Sequence, residues 1–375
     1  MSKEGELEII TKQAVVLAAG ESSRFTPFQR NRHKSTFSIF GEPIISQTIR
    51  SLEQLGFVEV IVAKSPKDKM LEEFLAPLKS VIAIHFVEQE EPLGMGNALL
   101  QVKGQLKERF LLVNPQQINI EDHLSNLKGK AKKSEINGTS VTLFSQETDQ
   151  PEKYGMLSLD GNSVRRVVEK PKDLSGLSNQ RILGIYILTK DFLGFMEGLP
   201  TSEYQFEEAL DKYSRKARVL AFESKSPALS LKYAWDLFLI TSNRFKNLPD
   251  KPQIHAKAQI DPTAKISGQV IVEEGAQIHE YSLITGPCYV GKNVVIGSFC
   301  KVRRETVLEE GVELQNSVDV KRTIIGKGSH IHSGFIGDSI IGENVRIGAN
   351  FITANRRLDR QNIYAKIKGV RVDTH

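Results

Sequence analysis

Two hydrophobic rhythms divide the chain. Up to about residue 245, short apolar runs such as Ala14–Leu17, Val58–Val62 and Phe110–Val113 alternate with amphipathic stretches such as Ile44–Leu55 and Asn97–Lys103. Strand-like runs separated by helix-like segments predict a mixed α/β domain built on a largely parallel sheet. Beyond residue 253 the rhythm changes. An aliphatic residue recurs every six positions at Ile254, Ile260, Ile266, Val272, Ile278, Ile284, Val290, Ile296, Val302, Leu308, Leu314 and Val320. A period of six fits neither a helix nor an alternating strand, but it fits short strands joined by bends that turn the same residue inward each time. This predicts a β-helix of hexapeptide repeats.

The second register supports that reading. Four residues after each aliphatic, from Ala258 to Val318, only small or β-branched residues occur, Cys288 and Cys300 among them. A narrow interior requires such residues, so both cysteines are expected in the core as small hydrophobes rather than as redox or metal groups. The repeat slips by one at Ile325 and Ile331 and resumes at Ile341 and Ile347. Asn247–Gln253, with two prolines, reads as the connector. The predicted organisation is an α/β domain over residues 1–248, a β-helix over 252–355 and a basic C-terminal tail over 356–375.

Composition narrows the function classes. The 375 residues carry 50 Lys and Arg against 45 Asp and Glu, a net charge of +5. That surplus is too small and too dispersed to call for nucleic acid. The lysines at 128, 130, 132 and 133 read as a solvated loop. The first ten residues are charged where a signal peptide needs an apolar stretch, and no later run reaches the roughly 20 apolar residues of a membrane span. A cytoplasmic protein without a membrane partner is expected. Two cysteines and scattered histidines specify no structural metal.

Candidate chemistry begins where the first apolar run ends. Val15–Ala19 leads into Gly20, Glu21, Ser22, Ser23 and Arg24, with Lys34 following. A small-residue turn can aim backbone N–H groups at phosphate oxygens while Arg24 and Lys34 neutralise their charge.

From there, the order of motifs resembles the sugar-1-phosphate nucleotidylyltransferases that carry a C-terminal left-handed β-helix, and the resemblance spans nearly the whole chain. Leu17–Arg24 with Lys34 is similar to that family's signature loop, and Gln89 with Pro92, Leu93 and Gly94 to its base-recognition segment. Tyr154-Gly155 and Glu169-Lys170-Pro171 are similar to its sugar and phosphate contacts, and Gly184-Ile185-Tyr186 to a later sugar-pocket strand. The resemblance implies a Rossmann-like, GT-A-like nucleotidyltransferase domain followed by a left-handed parallel β-helix. It also implies transfer of a nucleotidyl group to a sugar 1-phosphate with release of pyrophosphate. On this reading Ala18, Ala19, Gly20, Gln89 and Gly94 bind the nucleotide, with a pyrimidine base as in UTP or dTTP. Arg24, Lys34 and Lys170 handle phosphate charge. Tyr154, Gly155, Glu169, Gly184 and Tyr186 line the sugar pocket. The family's assembly further implies a homo-oligomer, a trimer through the β-helix.

Several positions depart from the pattern. Relatives hold magnesium with two Asp residues, at the places of Gln116 and Ser230 here. Losing two anions beside a dication weakens such a site, which leaves a catalytically silent sugar-nucleotide-binding or assembly subunit as an alternative. Ser22 replaces a common glycine, a mild change on grounds of size. In bifunctional relatives the β-helix acetylates an amino sugar with acetyl-CoA. His332 matches the position of their base and Asn355 a later substrate strand, but Phe335 stands where they have Tyr. A β-helix acyltransferase is the other alternative, and a structural role for His332 is the favoured reading.

Overall fold

The computed structural model describes residues 11–28, 33–125, 136, 138–229 and 231–374. It contains two compact units. One comprises Met1–Glu21, Asn31–Thr36 and Ile44–Leu229, and the other Ser22–Arg30, Phe37–Pro43 and Ser230–His375. The division therefore falls near residue 230 rather than at 248, and two short excursions from the N-terminal region group with the β-helix. The lysine run at 128–133 lies outside the described residues. Among the described residues, no helix is long and apolar enough to cross a membrane.

The first unit is built on nine strands: β1 (Gln13–Ala18), β2 (Glu59–Lys64), β3 (Ala83–Glu88), β4 (Arg109–Val113), β5 (Val141–Glu147), β6 (Gly155–Asp160), β7 (Ser163–Glu169), β8 (Gln180–Thr189) and β9 (Val219–Glu223). Their order across the sheet is β3-β2-β1-β4-β8-β5-β9-β7-β6. The first four run parallel, as expected. Beyond them the sheet is mixed, because β8 enters antiparallel between β4 and β5. The purely sequential alternation of strand and helix ends at β5, and the β6–β7 hairpin supplies no crossover helix, so β8 can return only in the opposite sense.

Alternate residues of the central strands feed two cores. Val16, Val60 and Val62 pack with Ile45, Ile49 and Leu52 of α1 (Ile44–Gln54), Leu71 and Leu75 of α2 (Met70–Leu75), and Ile120 and Leu124 of α4 (Ile120–Ser125). On the opposite face, Val15 and Ile61 meet Ala98 and Leu99 of α3 (Gly94–Gln101), Phe192 and Leu193 of α5 (Lys190–Glu197), and Phe206, Ala209 and Leu210 of α6 (Gln205–Ser214). Strands covered on both faces read as continuous apolar runs, which is why β1, β2 and β4 were visible in the sequence.

The second unit is a parallel β-helix of the hexapeptide, left-handed type, its strands forming three six-stranded sheets. Ile254 pairs with Val272, Val272 with Val290 and Val290 with Leu308, so each coil takes eighteen residues. Leu308 then pairs with Ile325, and Ile325 with Ile341, so the later coils are one and then two residues shorter. The six-residue aliphatics from Val272 to Val320 are buried, while the first and last of the series open to solvent. Each buried one contributes about 1.5–3 kcal/mol before entropy is counted. Cys288 and Cys300 are free thiols inside the stack, as expected. The polar interior positions close on backbone: the Ser282 hydroxyl donates to the Gly297 carbonyl at 2.7 Å and that of Thr306 to the Arg303 carbonyl at 2.7 Å.

The excursion at residues 37–43 and helix α7 (Asp236–Lys246) explain the shifted division. Phe40 packs on Phe245 and on Tyr289, each at 4.8 Å between ring centroids. The Gly41 N–H donates to the buried Glu309 carboxylate at 2.8 Å. Burial pushes that carboxyl up to about 7. The basic C-terminal segment is not a featureless tail. Tyr364–Ile367 and Val370–Asp373 form a hairpin around Lys368 and Gly369, both with positive φ, the requirement of a two-residue type I′ turn.

Candidate active site

In the first unit, β1 ends in buried Ala18 and Ala19, and the chain then emerges at exposed Gly20, where an added Cβ would meet nothing within 4 Å. Lys34 opens a single 3-10 turn, Lys34–Thr36. That turn is fixed by His33, which sequence reasoning missed. Its backbone N–H donates to Asp68 at 2.7 Å, and its Nδ1 lies 2.7 Å from the Ser35 hydroxyl. Burial, with Lys34 adjacent, lowers the imidazole to about 3, so it serves as a neutral hydrogen-bonding post. Arg24 is exposed and groups by its contacts with the second unit. Ser22, expected as a mild departure, has φ +54. The glycine it replaces is a matter of backbone conformation rather than of size, and a serine there is strained.

The segment expected to recognise the base is ordered from within. Gln89 is buried, and its Nε2 donates to the Gly94 carbonyl at 3.2 Å and to Asn97 Oδ1 at 2.8 Å. Gly94 has φ +91, and a Cβ there would lie 2.4 Å from the Glu203 carbonyl oxygen. Only glycine satisfies both conditions, so the start of α3 lies directly against the segment that leads into α6. Two residues later, a Cβ on Gly96 would fall 3.1 Å from Gln205 Oε1.

The residues expected to contact sugar and phosphate meet the same segment. The Lys170 N–H donates to the Tyr154 carbonyl at 3.0 Å, closing the β6–β7 hairpin. A Cβ on Gly155 would come within 2.9 Å of Glu169 Oε2, so glycine lets that carboxylate lie against the backbone. Lys170 Nζ is 3.2 Å from Glu169 and 5.2 Å from the Tyr204 ring centroid. Burial lowers the Lys170 pKa, but its ion pair with Glu169 outweighs this and the net shift is upward. Helix α6 lies along β7, with Asp211 accepting the Val167 N–H at 3.0 Å. Its first turn brings in Glu207, another residue with no sequence signal. One carboxylate oxygen, Oε2, is buried without a hydrogen-bond partner, and burial with Glu169 nearby pushes the group up to about 7.

Gly184 and Tyr186, the remaining residues expected in the sugar pocket, both lie on β8. Gly184 stands at a bulge in β8 and admits the Asn114 side chain, which a Cβ would strike at 1.5 Å. Tyr186 is a core residue, edge-on to Phe206 at 5.0 Å.

With this arrangement established, similarity to known proteins is informative. Residues 13–235 match the nucleotidyl transferase family and residues 266–368 the GMPPB C-terminal domain. The chain is 32% identical to the "Bifunctional protein GlmU" of Methanococcus maripaludis, over 95% of this chain and 84% of that protein. It is 29% identical to the "Bifunctional sugar-1-phosphate nucleotidylyltransferase/acetyltransferase" of Sulfurisphaera tokodaii, over 96% of this chain and 87% of that one. It belongs to the sugar-1-phosphate nucleotidyltransferase family. Among solved structures, a UDP-glucose pyrophosphorylase from Acinetobacter baumannii superposes with a TM-score of 0.54 at 18% identity, covering 63% of this chain and 94% of that one, which confirms the fold.

Measured against the magnesium that this family implies, the donor set is unusual. The stretch after β4 offers Asn114, Gln116 and Gln117, all amides. Gln117 is buried and committed to Asn119 at 3.0 Å. Among the described residues no group of three or more His, Cys, Asp or Glu could hold a metal ion. Ser230 lies outside the described residues. Magnesium selects charged oxygen ligands, so these residues do not fit an ion held by the protein.

In the β-helix of this family member, His332 is exposed and its backbone N–H donates to the Ile347 carbonyl at 2.9 Å. Asn355 donates from its side chain to Asp338 and flanks Gly337 together with Phe335. Its amide is thus committed within the last coils.

Proposed function

We propose that the first unit joins a pyrimidine nucleoside triphosphate to a sugar 1-phosphate. The sugar phosphate oxygen forms a bond to the α-phosphorus while the bond to the leaving pyrophosphate breaks. The observation that carries this reading is the convergence of two motifs, distant in sequence, on residues 203–207: the Gly94 turn against Glu203, and the Glu169–Lys170 pair beside Tyr204 and Glu207. A nucleotide at the first and a sugar phosphate at the second would be held as neighbours, and such positioning supplies much of the acceleration available to phosphoryl-type transfer. Gln89, its amide nitrogen already bonded internally, offers its carbonyl oxygen to the imide N–H of uracil or thymine. Glu169 accepts sugar hydroxyls, and Lys170 neutralises phosphate charge.

A pyrophosphate-release screen over UTP, dTTP, CTP, ATP and GTP with hexose and hexosamine 1-phosphates tests this. Release with UTP or dTTP and one sugar phosphate is expected. The amides at 114–117 favour one other reading, a silent binding subunit. Calorimetric binding of nucleotide without pyrophosphate release for any pair would establish it.

A further inference from the structure

The amide donor set leaves the site short of positive charge unless another cation stands nearby, and one does. Arg181, on β8, is only 9% exposed. It sits where β8 meets both β5 and β6, opposite Gln146 and Met156. Its guanidinium lies 4.2 Å from the centroid of the Tyr154 ring, directly before the sugar-contact glycine. Nη2 donates to Gln146 Oε1 at 3.0 Å, while Nε is buried with no hydrogen-bond partner. Among the described residues no carboxylate pairs with it. A buried cation without a counter-ion is costly, and proteins retain one where an anion arrives.

The surroundings connect this charge to the missing carboxylates. The Gln146 oxygen that holds Arg181 also accepts the Ala228 N–H at 3.3 Å, and Gln146 Nε2 donates to the Ser226 carbonyl at 2.7 Å. The neighbouring Pro227 carbonyl accepts from Asn119 at 3.1 Å, and Asn119 in turn fixes Gln117. Arg181 therefore belongs to the same hydrogen-bonded cluster as the amide stretch and the segment leading towards Ser230. Through the Tyr154 ring it also adjoins the sugar motif. Its near neighbour His123 is buried, and burial lowers its pKa to about 4, so it offers no competing positive charge.

We propose that Arg181 is a phosphate-binding residue of this site, a fixed guanidinium that takes over charge neutralisation from a metal ion held by carboxylates. This rests on the nucleotidyl-transfer reading given above and names how that same site handles phosphate. A guanidinium suits the task because it stays charged at every working pH and presents a planar fork to phosphate oxygens.

Calorimetry on the full chain tests it without requiring turnover. UTP, glucose 1-phosphate and the uncharged nucleoside uridine are titrated with chelator present and again with saturating magnesium, into the native protein and into Arg181→Gln and Arg181→Met. The native protein is expected to bind UTP or glucose 1-phosphate without metal within threefold of its affinity in magnesium. Both variants should lose at least tenfold for the phosphorylated ligand in chelator while binding uridine as before. Loss confined to UTP would assign Arg181 to the nucleotide phosphates, and loss confined to glucose 1-phosphate to the sugar phosphate. Native affinity falling more than tenfold on removal of magnesium would overturn the proposal, as would variants that bind metal-free ligand like the native protein or that lose uridine equally. Pyrophosphate release failing while the Arg181 effect persists would refute the catalytic reading and leave the phosphate role standing.

Discussion

Replacing Glu207 by Gln should stabilise the protein at neutral and alkaline pH and do nothing at acid pH. In the native protein the Glu207 carboxyl is moved from 4.5 to about 7, first by burial and then by Glu169 and Glu203, with Lys170 opposing. A carboxyl whose folded-state pKa is raised holds its proton in the folded protein where the unfolded chain has lost it. Its contribution is therefore fully present below about 4.5 and is lost as pH rises through 7. The full cost of the ionised form at pH 8 is roughly 3 kcal/mol at 1.36 kcal/mol per pKa unit, and about 2 kcal/mol after allowing for the water that reaches the half-buried side chain. Glutamine keeps the shape and carries no charge. Urea unfolding followed by helical ellipticity, which comes mostly from the first unit, should show the two proteins equal at pH 4.5 and the variant ahead by about 2 kcal/mol at pH 8. Glu309 titrates in the same range but is common to both proteins, so it cancels in the difference. A difference that stays flat between pH 4.5 and 8 would refute the placement of Glu207 in an acidic, desolvated cluster.

Gly94→Ala should weaken UTP binding at least tenfold by calorimetry and cost about 2 kcal/mol or more in unfolding, because it combines a left-handed backbone with a clash on the Glu203 carbonyl; unaltered binding would separate the Gly94 turn from the nucleotide site. Cys288 and Cys300 should stay unreactive towards a thiol reagent until denaturant is added, since burial raises both and pushes Cys288 up to about 12. Labelling of the native protein on the minute scale would contradict the packing of the stack. Ile296→Ala should cost about 2–5 kcal/mol and Ile254→Ala under about 1 kcal/mol, the first residue being fully buried and the second 47% exposed; equal losses in melting experiments would show that the six-residue positions do not share the inward geometry assigned to them.

The β-helix was legible because its interior admits one residue type per position, so Ile278, Ile296 and Leu314 announce their stacking by period alone. The central strands β1, β2 and β4 were legible for a related reason, burial on both faces. The antiparallel entry of β8 was not. It depends on which edge is open after the β6–β7 hairpin forms, and no local pattern encodes that. The same distinction runs through the site. Gln89, Gly94, Glu169 and Lys170 belong to contiguous motifs and could be read in place. His33, Glu207 and Arg181 act through what surrounds them, and a lone His, Glu or Arg in a sequence carries no record of its burial. Ser22 shows the opposite failure. Its place in the loop is plain from the sequence, but the cost of a serine there is set by the backbone, at φ +54, and not by side-chain volume.

Charge accounting connects these residues. Around the Gly94 and Lys170 motifs stand the acids Glu169, Glu203 and Glu207 with Lys170 as their near cation, and beside Tyr154 lies the buried Arg181, with which no carboxylate pairs among the described residues. A site with two carboxylates beside a dication keeps its charges balanced through the ion. Here the carboxylate place after β4 is an amide, Gln116, so a dication there would add positive charge that this position does not neutralise. Arg181 shows the same excess in built form: a positive charge permanently in place, awaiting an anion that only a ligand supplies. Replacing an acid pair by the neutral Gln116 and Ser230 and placing an arginine in the same cluster are therefore complementary changes. Either alone leaves the electrostatics worse than in the relatives' pattern, and restoring acid at Gln116 while Arg181 remains should pair the two charges and weaken phosphate binding rather than strengthen it.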